Sequence, residues 1–541
     1  MTRRAFAALP FCVAAAAYGQ NLSELLRGNR FRGDHLGAIG VTRKGTAIPA
    51  LFSAGDFDYQ SDKTRVLLVG GLSGSADDAE ELVGAWKQFH EGGLSRTHTL
   101  CVVPLLRPDG PPASPEANRF PPDPDAYRSE IDPEAQYLWR WIGTHAPDLV
   151  IEVGSSGLAS GLRESSPVGM GQVAALSVPT QYDGSFSLGE AIGASRNIPR
   201  PEHPARQEVR RRLGREPIDV SRKLAAVYGH EMENVAYQPA LALIGRMRLG
   251  ELDGDDRPLS DVEQMVLPFV DGTRPTLADE PSAGQIAGHL VFSDLARRSQ
   301  DGRYRERALR AASFGFNADG SFKESMPPVN EMSDAVFMGC PILAEVGRLT
   351  GERKYFEMAR RHLRFMLRLD VREGGLYRHS PLNEAAWGRG NGFPALGLAW
   401  TLSATPKDES LHREALAALR SHLLALLPHQ DPTGAWRQVI DRPESYREFT
   451  VTAMIAFAML RALRRGWVEP RTYGPAAERA WRAVNLRVGD DGSLIDVCTG
   501  TGKQRTLRDY YDRKAILGLD ERGGAMALLA ATEAAFRRRE Q

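Results

Sequence analysis

The amino-terminal half of the chain alternates short apolar runs with segments of helical spacing. Apolar runs at 65–70, 100–106 and 148–153 have the length of buried strands. Between them, 77–90 and 133–143 place apolar residues three and four positions apart, which is typical of an amphipathic helix. The order strand, helix, strand, helix, strand predicts an α/β sheet with helical crossovers.

From about residue 285 the pattern changes, and one helical segment follows another. In one of these segments Val451, Ile455 and Met459 fall on a single apolar face. Alternation with a period of two is scarce, so the carboxyl-terminal half is predicted to be all-α. The predicted helices are 333–349, 353–369, 392–403, 410–427, 446–465, 474–485 and 523–538.

The stretch 271–284 is the predicted domain linker, because it contains many turn formers and little to bury. A chain of 541 residues exceeds the ~250–300 residues that a single core normally holds. We therefore expect an α/β domain over 20–270 and a helical domain over 285–541.

The first nineteen residues have the features of an export signal. A short basic start precedes a mostly small and apolar stretch at 5–17, and Ala17-Tyr18-Gly19 resembles a cleavage site. We expect a periplasmic or secreted protein, and a buried amino-terminal helix is the alternative. No later run reaches ~18 apolar residues, so no membrane insertion is expected.

Charge and cysteine content exclude several classes of protein. The chain has 68 basic and 68 acidic side chains, and this balance argues against binding to nucleic acid or to anionic lipid. Its four cysteines form no CxxC pair, which excludes a zinc ribbon, a redox dithiol and a disulfide-stapled scaffold. The oligomeric state remains unknown from the sequence.

Five fragments follow one another in the amino-terminal half: VLLVGGLSGSA (66–76), RPDG (107–110), NRFP (118–121), PEAQ (133–136) and PDLVIEV (147–153). In order and spacing they resemble the zinc carboxypeptidases. This resemblance implies a carboxypeptidase-like α/β fold for residues 20–270.

The same resemblance implies zinc ligands at three positions, and this chain has Ser73, Ala76 and Gly154 (or its neighbour Ser155) there. Zinc needs three protein ligands and one open coordination position to activate water. A hydroxyl, a methyl group and a hydrogen cannot supply them. We therefore expect the fold without the metal and without peptidase activity.

Other signals of hydrolytic chemistry in this half are weak. Asn118 and Arg119 match substrate-carboxylate contacts of that family, and they either bind an anion or only fix a loop. His230-Glu231 begins like HExxH but lacks the second histidine. No GxSxG nucleophile elbow is present.

Aromatic and polar residues recur in the loops of the helical half in a combination that suits a sugar. Trp387 and Trp436 offer flat faces for pyranose C–H groups, and Arg389, Asn391 and Tyr446 offer donors for hydroxyls and a carboxylate. Each feature alone has a structural explanation, such as a core aromatic or a turn that starts a helix. Their joint occurrence favours a sugar site.

Five motifs of the helical half occur in order: MSDAVFM (332–338), GLYRH (375–379), WGRGNGF (387–393), QDPTGAW (430–436) and SYREFTVTA (445–453). Together they resemble the unsaturated glucuronyl and rhamnogalacturonyl hydrolases of glycoside hydrolase families 88 and 105. The similarity spans roughly 287–538 and implies an (α/α)6-type barrel in which His379 and Glu448 also contact substrate. About nine or ten helices are clear in the sequence, where a full toroid has twelve.

The resemblance implies a substrate, a reaction and the absence of any cofactor. In this family an aspartate protonates C4 of an unsaturated uronic acid that a polysaccharide lyase has left, and water then adds at C5. The hemiketal opens and releases the neighbouring sugar. Asp334 matches one of two important acids.

The second acid is less clear, because Asn383 stands where an aspartate is expected. An amide cannot donate a proton of useful acidity. Either Glu384 takes this role, or Asp334 acts alone, or the enzyme is impaired. The alternative is a catalytically impaired protein that binds carbohydrate or peptide and consists of two hydrolase domains that have lost their activity.

Overall fold

The computed structural model describes residues 26–28, 30–112, 114, 119–123, 133–154, 156–180, 186–195, 203–326 and 331–541. The chain divides into two compact units. Unit 1 comprises residues up to 214 with 442–446 and 511–515, and unit 2 comprises 215–441, 447–510 and 516–541. The predicted export signal at 1–19 lies outside the described residues.

Unit 1 is an α/β structure, as predicted. Its described strands form a six-stranded sheet in the order β1-β2-β4-β3-β5-β6, in which β4, β3, β5 and β6 are parallel neighbours and β2 pairs antiparallel with β1 and β4. The strands are β1 (His35–Val41), β2 (Ala47–Phe52), β3 (Thr64–Val69), β4 (His98–Val103), β5 (Leu149–Val153) and β6 (Ala174–Val178). The helices are α1 (Asp77–Glu91), α2 (Glu134–His145), α3 (Leu158–Glu164), α4 (Leu188–Ala194) and α5 (Pro204–Leu213).

The three strands that the sequence predicts are the central parallel ones. Leu68 of β3, Val102 of β4 and Ile151 of β5 are fully buried and share a core with Trp86 and Phe89 of α1. Strands that are covered on both faces form continuous apolar runs, which makes them recognisable. The edge strands β1 and β6 are partly exposed and were not predicted.

The positions predicted to have lost zinc ligands follow two neighbouring strands. Ser73 and Ala76 lie in the loop after β3, and Gly154 directly follows β5, which is parallel to β3. Ser73 is exposed, and none of the three side chains offers a metal ligand. Asn118 lies outside the described residues and Arg119 is exposed. A carboxypeptidase-like fold for this unit stays a prediction.

The carboxyl-terminal part of the chain is dominated by helices. They are α6 (Pro217–Ala225), α7 (Tyr237–Asp253), α8 (Arg257–Val270), α9 (Ala283–Gly288), α10 (Leu290–Arg298), α11 (Gly302–Ala312), α12 (Ala335–Thr350), α13 (Arg353–Asp370), α14 (Gly388–Ala404), α15 (Ser410–Leu426), α16 (Phe449–Arg464), α17 (Pro470–Leu486), α18 (Leu507–Tyr511) and α19 (Glu521–Glu540). Four short strands connect them: β7 (Trp436–Arg437), β8 (Arg447–Glu448), β9 (Leu494–Cys498) and β10 (Ala515–Gly518).

Unit 2 is a closed ring of paired helices, as the predicted barrel requires. The inner positions hold α7, then α9 and α10 in succession, then α12, α14, α16 and α19; each packs against the next, and α19 packs against α7. Helices α6, α8, α11, α13, α15 and α17 pack outside them. Within the described residues the ring thus has six inner and six outer positions, and the prediction of nine or ten helices was too low.

The barrel starts earlier than predicted. Unit 2 begins at residue 215 rather than 285, because α6, α7 and α8 are members of the ring. The segment 271–284 is a loop between two ring helices, and its Thr276 and Leu277 are buried, so it is not a domain linker.

The inner helices approach one another closely because small residues face their neighbours. A Cβ atom on Gly397 of α14 would lie 2.7 Å from the Cα of Phe337 in α12, a distance that only glycine permits.

Among the described helices, none combines the length and apolar character needed to cross a lipid bilayer.

Candidate active site

The segments that precede the inner helices α12, α14 and α16 are joined by backbone hydrogen bonds. The Ser333 N–H, just before α12, donates to the His379 carbonyl at 3.0 Å, and the Gly388 N–H, at the start of α14, donates to the Gln438 carbonyl at 2.7 Å. These bonds gather the residues of the predicted sugar motifs at the amino-terminal ends of the inner helices.

Asp334 immediately precedes α12 and lies beside His379. Its Oδ1 is 3.8 Å from the Nε2 of His379, and its side chain is 14% exposed. This oxygen has no hydrogen-bond partner among the residues that the structure describes. Burial raises the pKa of Asp334 to about 7, and the charge of Arg389 opposes the shift. Both protonation states of Asp334 are therefore populated at neutral pH.

His379 is fully buried and neutral at physiological pH. Burial lowers its pKa to about 3, and the positive charges of Arg389 and Lys503 add to the shift. Its Nδ1 lies 3.0 Å from the hydroxyl of Tyr510. When that hydroxyl donates to Nδ1, the ring proton is on Nε2, the atom that faces Asp334.

Trp387 and Arg389 form a stacked pair next to this histidine. The Trp387 ring centroid lies 4.2 Å from that of His379, and the Arg389 guanidinium lies 4.9 Å from the Trp387 ring. Arg389 donates to the carbonyls of Cys498 and Thr499, each at 2.7 Å. The guanidinium is thus fixed by the loop after β9, and it orients the tryptophan.

Asn391 and Trp436, both predicted to contact substrate, are used inside the protein. The Asn391 Oδ1 accepts the Tyr377 N–H, and its Nδ2 donates to the carbonyls of Tyr377 and Trp387, all at 2.9 Å. Trp436 is fully buried, and its Nε1–H donates to the Leu426 carbonyl at 2.9 Å. Both side chains therefore stabilise the backbone around the site through internal hydrogen bonds.

Glu448 caps the amino terminus of α16. Its fully buried carboxylate accepts the backbone N–H groups of Thr450 at 2.9 Å, Val451 at 2.6 Å and Cys498 at 2.9 Å. A carboxylate at this position is favoured because it satisfies orphan donors at the helix start.

Tyr446 is buried and belongs to the 442–446 segment of unit 1.

Glu384, the predicted alternative for the second acid, and Asn383, which stands where that acid is expected, lie in the loop between His379 and α14. Glu384 is 67% exposed and pairs with Arg378 at 2.6 Å. Asn383 accepts the Ala385 N–H at 2.8 Å and donates to the Arg505 carbonyl at 2.9 Å. Asn383 therefore fastens two loops together, and Glu384 forms a solvent-exposed ion pair.

A buried acid that the sequence did not reveal, Asp370, ends α13. It is fully buried, and neither carboxyl oxygen has a hydrogen-bond partner in the described part of the chain. Burial raises its pKa to about 8; Arg378, whose Nε is 3.8 Å away, opposes the shift, and Asp334 adds to it. A carboxylate at a helix carboxyl terminus is disfavoured by the macrodipole, and this conflict is the signal that could have identified it.

Several polar atoms of the cluster lack partners within the described ranges. They are the Ser333 hydroxyl, the Asp334 Oδ1, the Asp370 carboxyl, the His379 Nε2 and the Trp387 Nε1. Buried polar groups are normally hydrogen-bonded. A concentration of unpaired donors beside two protonatable acids suits a ligand with many hydroxyls and a carboxylate, and it allows a proton to be donated to that ligand.

One cluster among the described residues has the ligand types of a metal site, and it lies in unit 1. The ligand atoms of Asp56, Cys101 and His145 lie within 4.8 Å of one another. However, the Arg65 Nη2 is 3.1 Å and 3.3 Å from the two ring nitrogens of His145. A guanidinium already supplies positive charge there, so we assign no metal to this cluster.

Comparison with known proteins agrees with this geometry. The family model "Glycosyl Hydrolase Family 88" matches residues 218–537, which is nearly all of unit 2. The chain is 29% identical over 251 residues to the unsaturated rhamnogalacturonyl hydrolase YesR of Bacillus subtilis, covering 42% of this chain and 69% of that protein. It is 27% identical over 182 residues to an unsaturated 3S-rhamnoglycuronyl hydrolase of Formosa agariphila, covering 30% and 48%.

A solved structure shares the fold. The family 105 glycoside hydrolase of C. acetobutylicum superposes with a TM-score of 0.51 at 22% identity, and the match covers 58% of this chain and 98% of that one. The resemblance stated for the carboxyl-terminal half is confirmed. The family model matches more than half of this chain. The chain therefore belongs to glycosyl hydrolase family 88 and is a glycoside hydrolase of the unsaturated uronyl hydrolase type.

Proposed function

We propose that this enzyme removes a terminal unsaturated glucuronyl or galacturonyl residue from lyase-generated oligosaccharides by protonating and hydrating its C4=C5 double bond. The main support for this proposal is the environment of Asp334. Its carboxyl group is buried but reachable, one oxygen has no partner among the described residues, and its pKa is about 7. Relatives whose names specify unsaturated rhamnogalacturonyl or rhamnoglycuronyl substrates support the same chemistry.

The reaction uses Asp334 first as acid and then as base. The carboxyl proton moves to C4, the π electrons form the new C4–H bond, and the ring oxygen shares the positive charge that develops at C5. Water adds to C5, and its proton returns to the Asp334 carboxylate. The hemiketal then opens to a ketone, and the hemiacetal left at C1 releases the neighbouring sugar as an alcohol.

The surroundings of Asp334 suit both roles. A pKa near the working pH provides a populated acid and a base of useful strength. In the tautomer described above, the His379 N–H at Nε2 points to the carboxylate that forms after proton transfer. Asp370, with a pKa of about 8, stays protonated at neutral pH and adds no second negative charge.

Binding of the uronic acid falls to the donors that lack internal partners. The indole N–H of Trp387 and the hydroxyl of Ser333 are buried without a partner among the described residues, and we assign them to the substrate carboxylate and hydroxyls. Arg389 acts as a positioning residue, because its guanidinium holds the loop at Cys498 and stacks on Trp387. Asn391 and Trp436 keep these groups in place.

The decisive assay follows loss of the enol-ether absorbance of unsaturated disaccharides prepared from pectin and from glycosaminoglycans. Wild-type protein should consume at least one of them, and Asp334→Asn should not. Glu384→Gln is the matched control, since it changes a nearby acid that is exposed and paired with Arg378. Absence of turnover by the wild type on every uronic disaccharide would refute the proposal.

A second candidate, a catalytically impaired carbohydrate-binding protein, is favoured by one observation: Asn383 occupies the position of an expected acid. Asn383→Asp separates the two functions. A rate increase of a hundredfold or more, about 2.7 kcal/mol in activation free energy, would show that the acid had been lost. An unchanged rate in an active enzyme excludes impairment at this position.

We also propose that residues 1–19 direct export and that unit 1 has a carboxypeptidase-like fold without zinc. Support comes from the basic start followed by a small apolar run, and from Ser73, Ala76 and Gly154 at the expected ligand positions. Amino-terminal sequencing of protein from the periplasm or medium should begin at Gln20. Stoichiometric zinc in the purified protein would contradict the second proposal.

A further inference from the structure

The barrel has a cavity at the end of the ring opposite to Asp334. A cavity of about 240 Å³ is lined by residues near the carboxyl-terminal ends of α7, α10, α12, α14, α16 and α19. Asp334 and Trp387 precede the amino-terminal ends of α12 and α14. A helix of 17 residues such as α14 is about 25 Å long, so this cavity and the proposed active site are separate.

Positive charge dominates the wall of this cavity. Arg248, Arg461 and Arg464 all donate to the single carboxylate of Glu533, at 2.6, 2.6 and 2.7 Å. Glu533 is fully buried, and of the three arginines only Arg464 has a further acidic partner among the described residues, Glu540 at 2.7 Å. Three guanidinium groups thus share two carboxylates.

The remaining acids of the cavity wall are already paired. Three arginines face three carboxylates in a chain of ion pairs that is neutral as a whole. The pairs are Arg297 with Asp294, Arg298 with Asp294 and Glu251, and Arg348 with Glu345. The excess positive charge therefore stays on the Glu533 side.

Two arginines on that side keep unused donors. Arg461 is 6% exposed, and its Nε is buried without a partner in the part of the chain that the structure describes. Arg465 lines the same cavity, and the described residues provide no hydrogen bond or ion pair to its side chain. Burial lowers the pKa of Arg465, and the charges of Arg464 and Arg461 add to the shift, as expected for crowded cations.

The arginines could instead serve only to offset the partial negative charge of the helix ends. Their hydrogen bonds do not support this. Arg248, Arg461 and Arg464 bond to carboxylates and hydroxyls, including those of Thr532 and Ser403. The guanidinium groups are held in place by acids and aromatic rings, with Arg248 4.9 Å and Arg464 5.5 Å from the Phe536 ring centroid.

We propose that this cavity is a binding site for a tetrahedral oxyanion, phosphate or sulfate, either free or as an ester. Fixed guanidinium groups present several N–H donors in a planar fork that matches such oxygens. The exposed side chain of Arg465 is the donor left for it, and the guanidinium groups of Arg461 and Arg464 add positive charge to the same cavity wall. The site is independent of the uronyl chemistry at Asp334.

Isothermal titration calorimetry of the full chain tests the site with inorganic phosphate and sulfate, against sodium chloride of equal ionic strength. Phosphate or sulfate should bind saturably, and Arg465→Gln should weaken binding by about tenfold. Arg413→Gln, which removes an exposed arginine of α15 outside the cavity, should change nothing. Asp334→Asn should leave the anion affinity unchanged.

Glucose 6-phosphate and glucose 6-sulfate distinguish the two sources of the anion. Tighter binding of an ester than of the free ion identifies an ester ligand, and exclusion of the esters identifies a free-ion site. The proposal is overturned if chloride reproduces the effect, if Arg413→Gln weakens binding as much as Arg465→Gln, or if no saturable binding occurs. Selenate soaked into crystals gives a check that needs no variant, since its density should lie between Arg461 and Arg465.

Discussion

Replacing Asp334 by Asn is the sharpest test of the proposed mechanism. The amide has nearly the same shape as the carboxyl group but has no transferable proton. Removing a general acid commonly lowers the rate by about 10²–10⁴-fold, so kcat should fall by that amount. KM should change little, because the donors expected to bind substrate, including Trp387 and Ser333, are untouched.

The same substitution should raise the free energy of unfolding by an amount that depends on pH. The pKa of Asp334 is about 7 in the folded protein, against 3.8 for the unperturbed group. Below about pH 4 both states hold the proton and there is no effect. As pH rises from about 4 to 7, the unfolded state ionises first, and the folded protein loses up to roughly 4 kcal/mol at this one site. Above pH 7 the loss is constant.

Asp334→Asn removes this loss, so the variant should unfold at higher urea concentration than the wild type at pH 8 but not at pH 4. The wild-type kcat/KM should fall about tenfold per pH unit above pH 7, because the acid must be protonated. The measurements are urea denaturation at both pH values and the initial rate of enol-ether loss between pH 5 and 9. Activity of the variant within tenfold of wild type, or a wild-type rate that rises above pH 7, would refute the assignment.

Three further substitutions test the frame of the site. Asp370→Asn should keep activity within about tenfold, because the acid is already neutral at pH 7; a loss of about a hundredfold or more would make Asp370 a catalytic acid instead. Glu448→Ala should lower the free energy of unfolding by about 1–3 kcal/mol, measured by urea denaturation, since α16 loses its cap; an unchanged midpoint would contradict this. Gly397→Ala should cost about 1–3 kcal/mol by clashing with Phe337, whereas Gly474→Ala, where a Cβ meets nothing within 4 Å, should be neutral or stabilising.

The sequence predicted those elements whose pattern is continuous along the chain. Central strands such as β3 were recognisable because both faces are buried, and the long helices from α12 onward because their apolar faces repeat. The barrel's start was misplaced because Gly and Pro residues at 271–284 look like a linker, whereas Leu277 is buried within unit 2. A turn-rich composition does not distinguish a loop inside a domain from one between domains.

At the site, residue types were predicted better than residue roles. Asp334, His379 and Trp387 come together as expected, and their roles in catalysis and binding stay predictions. Trp436 and Asn391 carry the right chemistry for a sugar, but their hydrogen-bonding atoms are used inside the protein. Which partner a polar group finds is decided by contacts between distant segments, and no local pattern records them.

The cluster around Asp334 should lower the free energy of unfolding at neutral pH. Burial raises the pKa of Asp334 to about 7 and that of Asp370 to about 8, so at neutral pH the folded chain binds protons that the unfolded chain would release, and burial also keeps His379 neutral. The charged form of each of these groups would be more stable in water. Close packing of the inner helices, which small residues such as Gly397 allow, fixes the start of α12 and with it the backbone that carries Asp334. The pKa of the proposed proton donor is therefore set mainly by the packing of the barrel, and substitutions that loosen the inner helices should lower that pKa and move the loss of activity to lower pH.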